Sequence, residues 1–344
     1  MKRTFYWLLI VVAIFSMALI GVSCKEEAAS TETAKEEAAS TEEAKEEETM
    51  EEKESGGRKI GVVIITATNE HCLSNGQGAI DVIESHGDTA VLLDAKFDPA
   101  VEVELLENLI QQHVDGIALE VTGQASSLSA LKHAKEEGIP VAANDQWLAP
   151  ESADLVISQV ATDNYMAGAM CGMDMVNRLK VKGEIAGNIM VIGVAGGDAS
   201  NNRIQGFLDV VAKYPDLKVV ATDYGDGTIE KSQKVTENIM QAHSDLICVF
   251  GGNDPSAIGA LTAFKAAGKN EGVMFYGVDA LPQALEFIKS GEMTATCKQY
   301  AYEMGQISAE NIYKELNGEE IEVKLLYLPV QMISSINVDK FLSE

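Results

Sequence analysis

The strongest constraint on the fold is a regular alternation of short apolar runs with amphipathic stretches, which begins at Lys59. Each amphipathic stretch leads into a turn containing glycine, the residue that most readily ends a helix. Strand–helix–strand units joined by short links predict a parallel sheet with helices on both faces. The predicted strands are Ile60–Ile65, Ala90–Leu93, Gly116–Leu119 and Val141–Ala143, and the predicted helices are Leu73–Ser85, Val101–Gln112 and Ala125–Glu137.

The pattern then restarts, with Leu155–Ser158 leading into a predicted helix over Tyr165–Leu179. The chain is therefore predicted to be an α/β protein with two doubly wound parallel-sheet lobes. The later strands are Ile189–Val194, Lys218–Ala221, Leu246–Phe250, Met274–Val278 and Thr294–Gln299, and a short β-like end surrounds Leu325–Ile333. The later helices are Arg203–Val211, Glu230–Gln241, Pro255–Ala267, Pro282–Lys289 and Tyr302–Leu316.

Polar segments follow several of the predicted strands. Open parallel sheets bind ligands beyond the carboxyl ends of their strands, so these segments are the candidate site. Two lobes whose polar edges face each other would form a cleft. The segments are Thr66–Cys72, Asn144–Trp147, Gly196–Asn202, Asn253-Asp254 and Asp279.

Eight short motifs occur in order along nearly the whole body. They are IGVVIITATNEHC at Ile60, DGIALEVT at Asp115, GIPVAANDQW at Gly138, ATDNYMAG at Ala161, GVAGGDASNNRIQGF at Gly193, VFGGND at Val249, YGVDALPQAL at Tyr276 and SGEMTATCKQ at Ser290. Each is unspecific alone, but in this order and spacing the chain resembles the ribose-binding type of periplasmic solute-binding protein. That family supplies the receptor component of ATP-driven sugar importers.

The resemblance implies two lobes (the periplasmic-binding-protein type I fold) joined by a three-crossing hinge, with a ligand cleft between them. The crossings would fall near Ser158–Asp163, Met293–Tyr300 and Leu328–Gln331. The N-terminal lobe would comprise residues 59–160 plus 300–328, and the C-terminal lobe residues 161–299 plus 329–344.

The resemblance also implies a set of ligand-binding residues. The positions that match the family's polar contacts are Asn69, Asp145, Asn253, Asp279 and Gln299. Carboxylate and amide groups suit neighbouring hydroxyls because one side chain can engage two of them. Polar groups that closure buries must also be paired. These residues predict a small polar ligand, namely a sugar, a polyol or a relative of one.

Other cleft positions depart from the family pattern. His71 and Cys72 stand where the family usually places two aromatic residues that stack on the sugar ring. Gln146 and Asn201 stand where it places two arginines. We still expect these four residues to contact the ligand, but an ordinary pentose or hexose is then in doubt.

Two aromatic residues near these positions, Trp147 and Tyr224, are candidates for replacement stacking faces. Asp145 and Asp279 have no arginine beside them in the sequence. A ligand with partial positive charge therefore stays an alternative to an uncharged one.

Structural roles compete with ligand binding at several of these residues. Asp145 and Asp279 could cap the helices that follow them. Asp254 stands before a proline suited to the first helical position, so we expect it to cap a helix while Asn253 contacts ligand. For Arg203, which matches a family arginine, a structural ion pair is favoured over ligand contact.

The sequence contains no constellation that predicts catalysis. His71 and Cys72 have no accompanying motif for metal binding or nucleophilic chemistry, so pocket lining or a core position is favoured. Gly196-Gly197 lacks the pattern of a phosphate-binding loop. We expect no enzyme activity, no cofactor and no metal. The scattered cysteines after Cys24 predict buried free thiols, although pairing among them stays open.

The N-terminus has the features of an export signal. Lys2 and Arg3 precede an uncharged apolar run, Tyr6–Val22, which ends in small residues before Cys24. This ending resembles the bacterial lipobox, so residues 1–24 are predicted to be a lipoprotein signal with Cys24 as the lipidated residue. Gly21 stands where that pattern usually has leucine. The alternative is an uncleaved transmembrane anchor.

Residues 25–58 form an acidic, low-complexity segment with the near repeat KEEAASTETA and KEEAASTEEA. It has too few large apolar residues to form a core, which predicts a charged spacer between anchor and body. The whole chain carries 53 acidic and 26 basic residues, a net charge of −27. Such a charge opposes binding to nucleic acid and to anionic lipid.

The resulting hypothesis is an extracytoplasmic, lipid-anchored, monomeric receptor that closes on its ligand and delivers it to a membrane permease of an ABC importer. A sensory module that presents a sugar-like signal to a chemoreceptor or sensor kinase is the main alternative. The resemblance extends to sugar-responsive repressors, but these need a basic DNA-binding head, and here an export signal and an acidic spacer occupy that position.

Overall fold

The computed structural model describes residues 57–195 and 197–342. The described residues belong to one compact unit. The predicted signal peptide with Cys24, the spacer up to Gly56, and Gly196 lie outside the described residues, so the predictions made for them stay predictions.

The first half of the body alternates strand and helix as predicted. The elements are β1 (Lys59–Ile64), α1 (Glu70–Ser85), β2 (Thr89–Asp94), α2 (Pro99–Gln111), β3 (Gly116–Glu120), α3 (Leu128–Glu136), β4 (Val141–Asp145), α4 (Pro150–Ala153) and β5 (Ser158–Thr162). The short helix α4 has no counterpart in the sequence-based assignment. Helix α3 begins at Leu128 rather than Ala125, because bends and turns occupy the residues before it.

The second half continues the alternation. Its elements are α5 (Asn164–Lys182), β6 (Gly187–Gly193), α6 (Asp198–Val211), β7 (Leu217–Tyr224), α7 (Ile229–Ala242), β8 (Leu246–Gly251), α8 (Asp254–Ala266), β9 (Met274–Asp279) and α9 (Pro282–Lys289). The tail adds β10 (Ala295–Lys298), α10 (Ala301–Leu316), β11 (Leu325–Leu328), β12 (Gln331–Ser334) and a 3-10 turn at Val338–Lys340.

The strands form two six-stranded sheets. The first has the order β11-β5-β4-β3-β1-β2, and the second has the order β12-β10-β9-β8-β6-β7. Every strand pair is parallel except β10 with β12. The chain passes from one sheet to the other after β5, after β10 and after β11, while the residue limits of the two lobes stay a prediction.

Strand β5 corrects one sequence assignment. The sequence pattern predicts that Leu155–Ser158 opens the second repeat, but the strand runs over Ser158–Thr162 and pairs with β4 in the first sheet. Its five residues are all buried, which is typical of an inner strand covered on both faces. The second sheet therefore begins only with β6.

The core lies between each sheet and the helices on its two faces. In the first sheet, the buried residues of β1 pack against α1 and against Ala309, Ile312 and Tyr313 of α10. In the second, Phe207 of α6 stacks on Phe250 of β8 with ring centroids 4.5 Å apart. Continuous burial along the inner strands explains why they appear in the sequence as unbroken apolar runs.

Four cysteines of the body are free and buried, which confirms the prediction of free thiols for this part of the chain: Cys72, Cys171, Cys248 and Cys297. Among the residues that the structure describes, no helix combines the length and apolar character needed to cross a membrane.

Candidate ligand-binding cleft

The carboxyl ends of strands from both sheets face one small cavity of about 80 Å³. Asp145 is the last residue of β4, Asp279 the last of β9, and Gln299 follows β10. Eight of the ten predicted ligand-binding residues line this cavity: Asn69, His71, Cys72, Asp145, Gln146, Asn253, Asp279 and Gln299. Side chains that are far apart in the sequence thus meet in one cavity, because each lies at or just beyond the carboxyl end of a strand.

The backbone at the two aspartates adopts a conformation that non-glycine residues rarely take. Asp145 has φ 69°, and Asp279 and Ala280 have φ 133° and 63°. Such residues cost about 1–3 kcal/mol each and persist where the surrounding structure holds them. Neither aspartate caps a helix, because the residues at the N-caps of α4 and α9 are Ala149 and Leu281. The capping alternative for Asp145 and Asp279 is therefore wrong.

A chain of polar contacts joins the two sheets across the cavity. His71 Nε2 lies 2.8 Å from Asp145 Oδ1. Gln299 Nε2 donates to Asp279 Oδ1 at 2.6 Å and lies 3.5 Å from His71 Nδ1. Arg203 Nη1 lies 3.6 Å from Asp279 Oδ1. The first sheet contributes Asp145 to this chain, and the second contributes Asp279.

The charges of these groups follow from their neighbours. Burial lowers the pKa of His71, but the charge of Asp145 and the hydrogen bond to it raise that pKa to about 9. Burial raises the pKa of Asp145, yet the His71 imidazolium and then Arg203 bring it below its usual range. Burial raises the pKa of Asp279, against the opposing effects of Arg203 and His71. The cavity thus places groups of both charge signs side by side, with His71 next to Asp145 and Arg203 next to Asp279.

The side-chain amides of Gln146 and Gln299, which line the cavity, each have an oxygen that can accept a hydrogen bond from a ligand. Gln146 donates its Nε2 to the carbonyl oxygen of Val121 at 2.9 Å. Within the described part of the chain, Gln146 Oε1 and Gln299 Oε1 are buried and have no hydrogen-bond partner. An unpaired buried acceptor costs about 1–3 kcal/mol, so a ligand hydroxyl donating to it would bind favourably.

Arg203 lies beside Asp279 in space, although Asp279 has no arginine beside it in the sequence. Gly168 of α5 makes this position possible, because a Cβ there would overlap the backbone carbonyl of Arg203 on α6. The guanidinium Nε donates to Asn164 Oδ1 at 2.7 Å and Nη1 to the Gly252 carbonyl at 2.8 Å. These contacts agree with the favoured structural role, although Arg203 also lines the cavity.

The roles of Asn253 and Asp254 differ from the expectation. Asn253 is the N-cap of α8, since its Oδ1 accepts from Ser256 N at 3.0 Å, and its Nδ2 donates to the Gly227 carbonyl. Asp254 is buried inside the lobe, where it accepts from Thr296 Oγ1 and from Leu281 N. The prediction that Asp254 caps this helix is wrong. Asn253 also lines the cavity.

Two predicted ligand-binding residues lie apart from the cavity lining. Trp147 is half-buried and packs on Tyr327, with ring centroids 4.5 Å apart. Asn201 is exposed on α6. Sequence reasoning also missed Phe97, which follows β2 and lines the cavity. Its only sequence signal is a large apolar residue between a lysine and the Asp-Pro that starts α2.

Three side chains near the cavity could in principle hold a metal ion. The ligand atoms of His71, Glu120 and Asp145 lie within 4.8 Å of one another. His71 and Asp145 already bond each other, and Glu120 Oε2 accepts from Ile65 N at 2.8 Å. The expectation that no metal binds stays a prediction.

Two largely parallel sheets with a polar cavity at the carboxyl ends of their strands are the arrangement of a solute-binding protein. The family model described as "Periplasmic binding protein domain" matches residues 60–320. The chain therefore belongs to the periplasmic binding protein family, as the motifs predicted.

Named relatives and a solved structure are similar along most of the body. The chain is 31% identical to the ribose import binding protein RbsB of Escherichia coli (strain K12) over 265 residues, covering 77% of this chain and 87% of that protein. It is 30% identical to a xylitol-binding protein of Mycolicibacterium smegmatis, covering 83% and 79%. A crystal structure of a periplasmic solute-binding protein from Actinobacillus succinogenes with bound D-allose superposes with TM-score 0.76 and 27% identity, covering 82% and 99%.

Proposed function

We propose that this chain is an extracytoplasmic receptor that captures a sugar or a sugar-like polyol by hinge closure and delivers it to an ABC-type permease. The observation that carries the proposal is the meeting of Asp145 and Asp279 in one cavity, each at the end of a strand in a different sheet. A ligand that bonds both carboxylates stabilises the closed arrangement, because neither sheet alone supplies both contacts.

The chemistry of the cavity favours a neutral, hydroxyl-rich ligand. The two carboxylates and the free oxygens of Gln146 and Gln299 accept hydrogen bonds, while His71, the Gln299 amide and Arg203 can donate them. Hydroxyl groups suit such a mixture because each can donate and accept at once. An amine would have to share the cavity with two existing cations, so it is the less favoured alternative.

A thermal-shift screen of the purified chain against sugars, polyols, nucleosides and amines tests the ligand class. A ligand at 100 times its Kd stabilises the native state by about 2.7 kcal/mol. We expect the largest shifts from sugars or polyols and none from amines. Shifts confined to amines or nucleosides would contradict the proposal.

Asp279→Asn tests whether the cavity is the binding site. The change keeps the size of the side chain but removes the charge that bonds Gln299, so we expect ligand binding to weaken about 10- to 100-fold. Asp209→Asn is the matched control, because Asp209 bonds Tyr165 on the exposed face of α5 and α6. Equal affinities in the two variants would place the site elsewhere.

The proposed cycle is reversible binding without turnover. No observation favours a sensory role over transport, and two relatives are named for import or for binding a polyol. Recovery of the ligand chemically unchanged after incubation is the expected result. A new product in that incubation would contradict a purely binding function.

The proposed location is outside the cytoplasmic membrane, with a lipid anchor on Cys24. Cys24→Ala is expected to abolish lipid labelling and to release the chain from the membrane fraction. A variant that stays membrane-bound would support the uncleaved anchor instead. The proposed receptor is a monomer, which sedimentation of the detergent-solubilised chain can check.

A further inference from the structure

The loop between β2 and α2 holds two adjacent residues in a strained conformation. Lys96 has φ 55° and Phe97 has φ 60°. A bulky side chain in this left-handed region is a genuine outlier. The loop is fixed there: Phe97 N donates to the Ile65 carbonyl at 2.8 Å, and Lys96 N donates to Asp94 Oδ1 at 2.7 Å. The strain is thus maintained by contacts on both sides of it.

Strain of this kind concentrates around the cleft. Among the residues that the structure describes, seven other than glycine have such a φ, and His113 is the one far from the cleft, at the amino-terminal edge of β3. Backbone strain clusters at ligand-binding sites because the surrounding fold can hold a residue where function needs it. Five of the seven line cavities of the cleft, namely Lys96, Phe97, Asp145, Asp226 and Asp279, and the sixth, Ala280, directly follows Asp279.

Phe97 borders the ligand cavity and the space next to it. It lines the cavity of His71 and Asp145 and also two adjoining cavities of about 390 Å³ and 330 Å³. Asp226 and Thr228, which follow a strand of the second sheet, line both of these adjoining cavities. The side chain is 45% exposed, so core packing does not account for its position.

We propose that Phe97 is a ligand-contacting residue that selects for a ring-shaped polyhydroxylated ligand over its open-chain alditol. The inference rests on the proposed function and adds a substrate class to it. A cyclic sugar presents a flat face of C–H groups, and an exposed aromatic ring gains by covering such a face. His71 and Cys72 offer no aromatic carbocycle to this cavity, whereas Phe97 does.

The binding test compares matched pairs of probes on the full chain: D-ribose with ribitol, D-xylose with xylitol, and D-glucose with glucitol. For the pair bound most tightly, Phe97→Leu is expected to weaken binding of the ring sugar about tenfold and that of the alditol less than threefold. Phe97→Tyr, which keeps the ring, should retain both affinities.

The stability test separates a binding role from a structural one. Phe97→Gly relieves the strained φ, so the ligand-free chain should unfold at the same temperature or a few degrees higher. His113→Gly is the matched control: it relieves similar strain away from the cleft and should leave every affinity unchanged.

Three results would overturn the inference. They are equal losses for ring and open-chain probes in Phe97→Leu, unchanged affinities in that variant, and a lower unfolding temperature of ligand-free Phe97→Gly. A wild-type chain that binds none of the six probes or the wider panel contradicts the proposed function and this inference together. Normal wild-type binding with an indifferent Phe97→Leu contradicts the inference alone.

Discussion

Replacing Glu120 by glutamine should make the chain more resistant to rising pH. Glu120 ends β3 and is 1% exposed. Its Oε2 accepts from Ile65 N at 2.8 Å, while Oε1 has no partner among the described residues. Burial, and after it the charge of Asp145, raises the pKa of Glu120 to about 8, despite the opposing charge of His71.

The sign and size of the effect follow from proton linkage. The unfolded carboxyl ionises near its ordinary value of 4.5, whereas the folded one stays protonated up to about 8. Between these values the folded state binds more protons, so the free energy of unfolding falls as pH rises. At about 1.36 kcal/mol per pH unit, the fall reaches about 4 kcal/mol between pH 5 and pH 8.

Urea denaturation of wild type and Glu120→Gln at pH 5, 6, 7, 8 and 9 measures this directly. Glutamine mimics the protonated acid and can still accept from Ile65 N, so the variant lacks this pH dependence. The stability difference should grow in favour of the variant up to about pH 8 and then level off. His71 titrates in both proteins, but in the variant its pKa loses the raising effect of the Glu120 charge. A difference that is flat across this range would refute the reasoning.

Three further predictions concern packing and thiols. Phe207→Ala removes a fully buried ring stacked on Phe250 and should lower the free energy of unfolding by about 3–5 kcal/mol, and a loss below about 1 kcal/mol in urea denaturation would contradict that packing. Gly168→Ala should lower the free energy of unfolding by about 1–3 kcal/mol and weaken ligand binding, because it displaces Arg203. An unfolding temperature equal to that of wild type in calorimetry would contradict the close helix contact. A thiol reagent should react with no cysteine of the native body but with four after unfolding, namely Cys72, Cys171, Cys248 and Cys297. Rapid labelling of the native body would contradict their burial.

The fold was predictable because each inner strand is buried on both faces. Such strands contain apolar runs, as in Gly116–Leu119 of β3 and Val141–Ala143 of β4, and every residue of these two strands is buried. The boundary near β5 was harder to place. Its sequence, SQVAT, contains buried Gln159, whose Oε1 accepts from Leu148 N, so tertiary hydrogen bonding makes a polar residue an inner-strand residue. Local patterning carries no information about such a partner.

The part of the site that lies at strand ends was predictable. Asp145 and Asp279 end apolar strands, and ligands of open parallel sheets bind beyond such ends. Asn201 lies on an exposed helix face that the motif match alone could not distinguish from a cavity-facing one. Glu120 and Phe97 were missed for opposite reasons. Glu120 forms the buried end of an apolar strand, and Phe97 owes its position to a backbone conformation that no sequence pattern specifies.

The central claim is that carboxylates from two different sheets bind one ligand. A crystal structure of the chain with the tightest-binding compound of the panel tests it most directly. We predict ligand hydroxyls within hydrogen-bond distance of Asp145 and Asp279 at the same time. A ligand that touches residues of one sheet only, or that occupies the groove lined by Asp174 and Ile336 on the second sheet's lobe, would contradict the account.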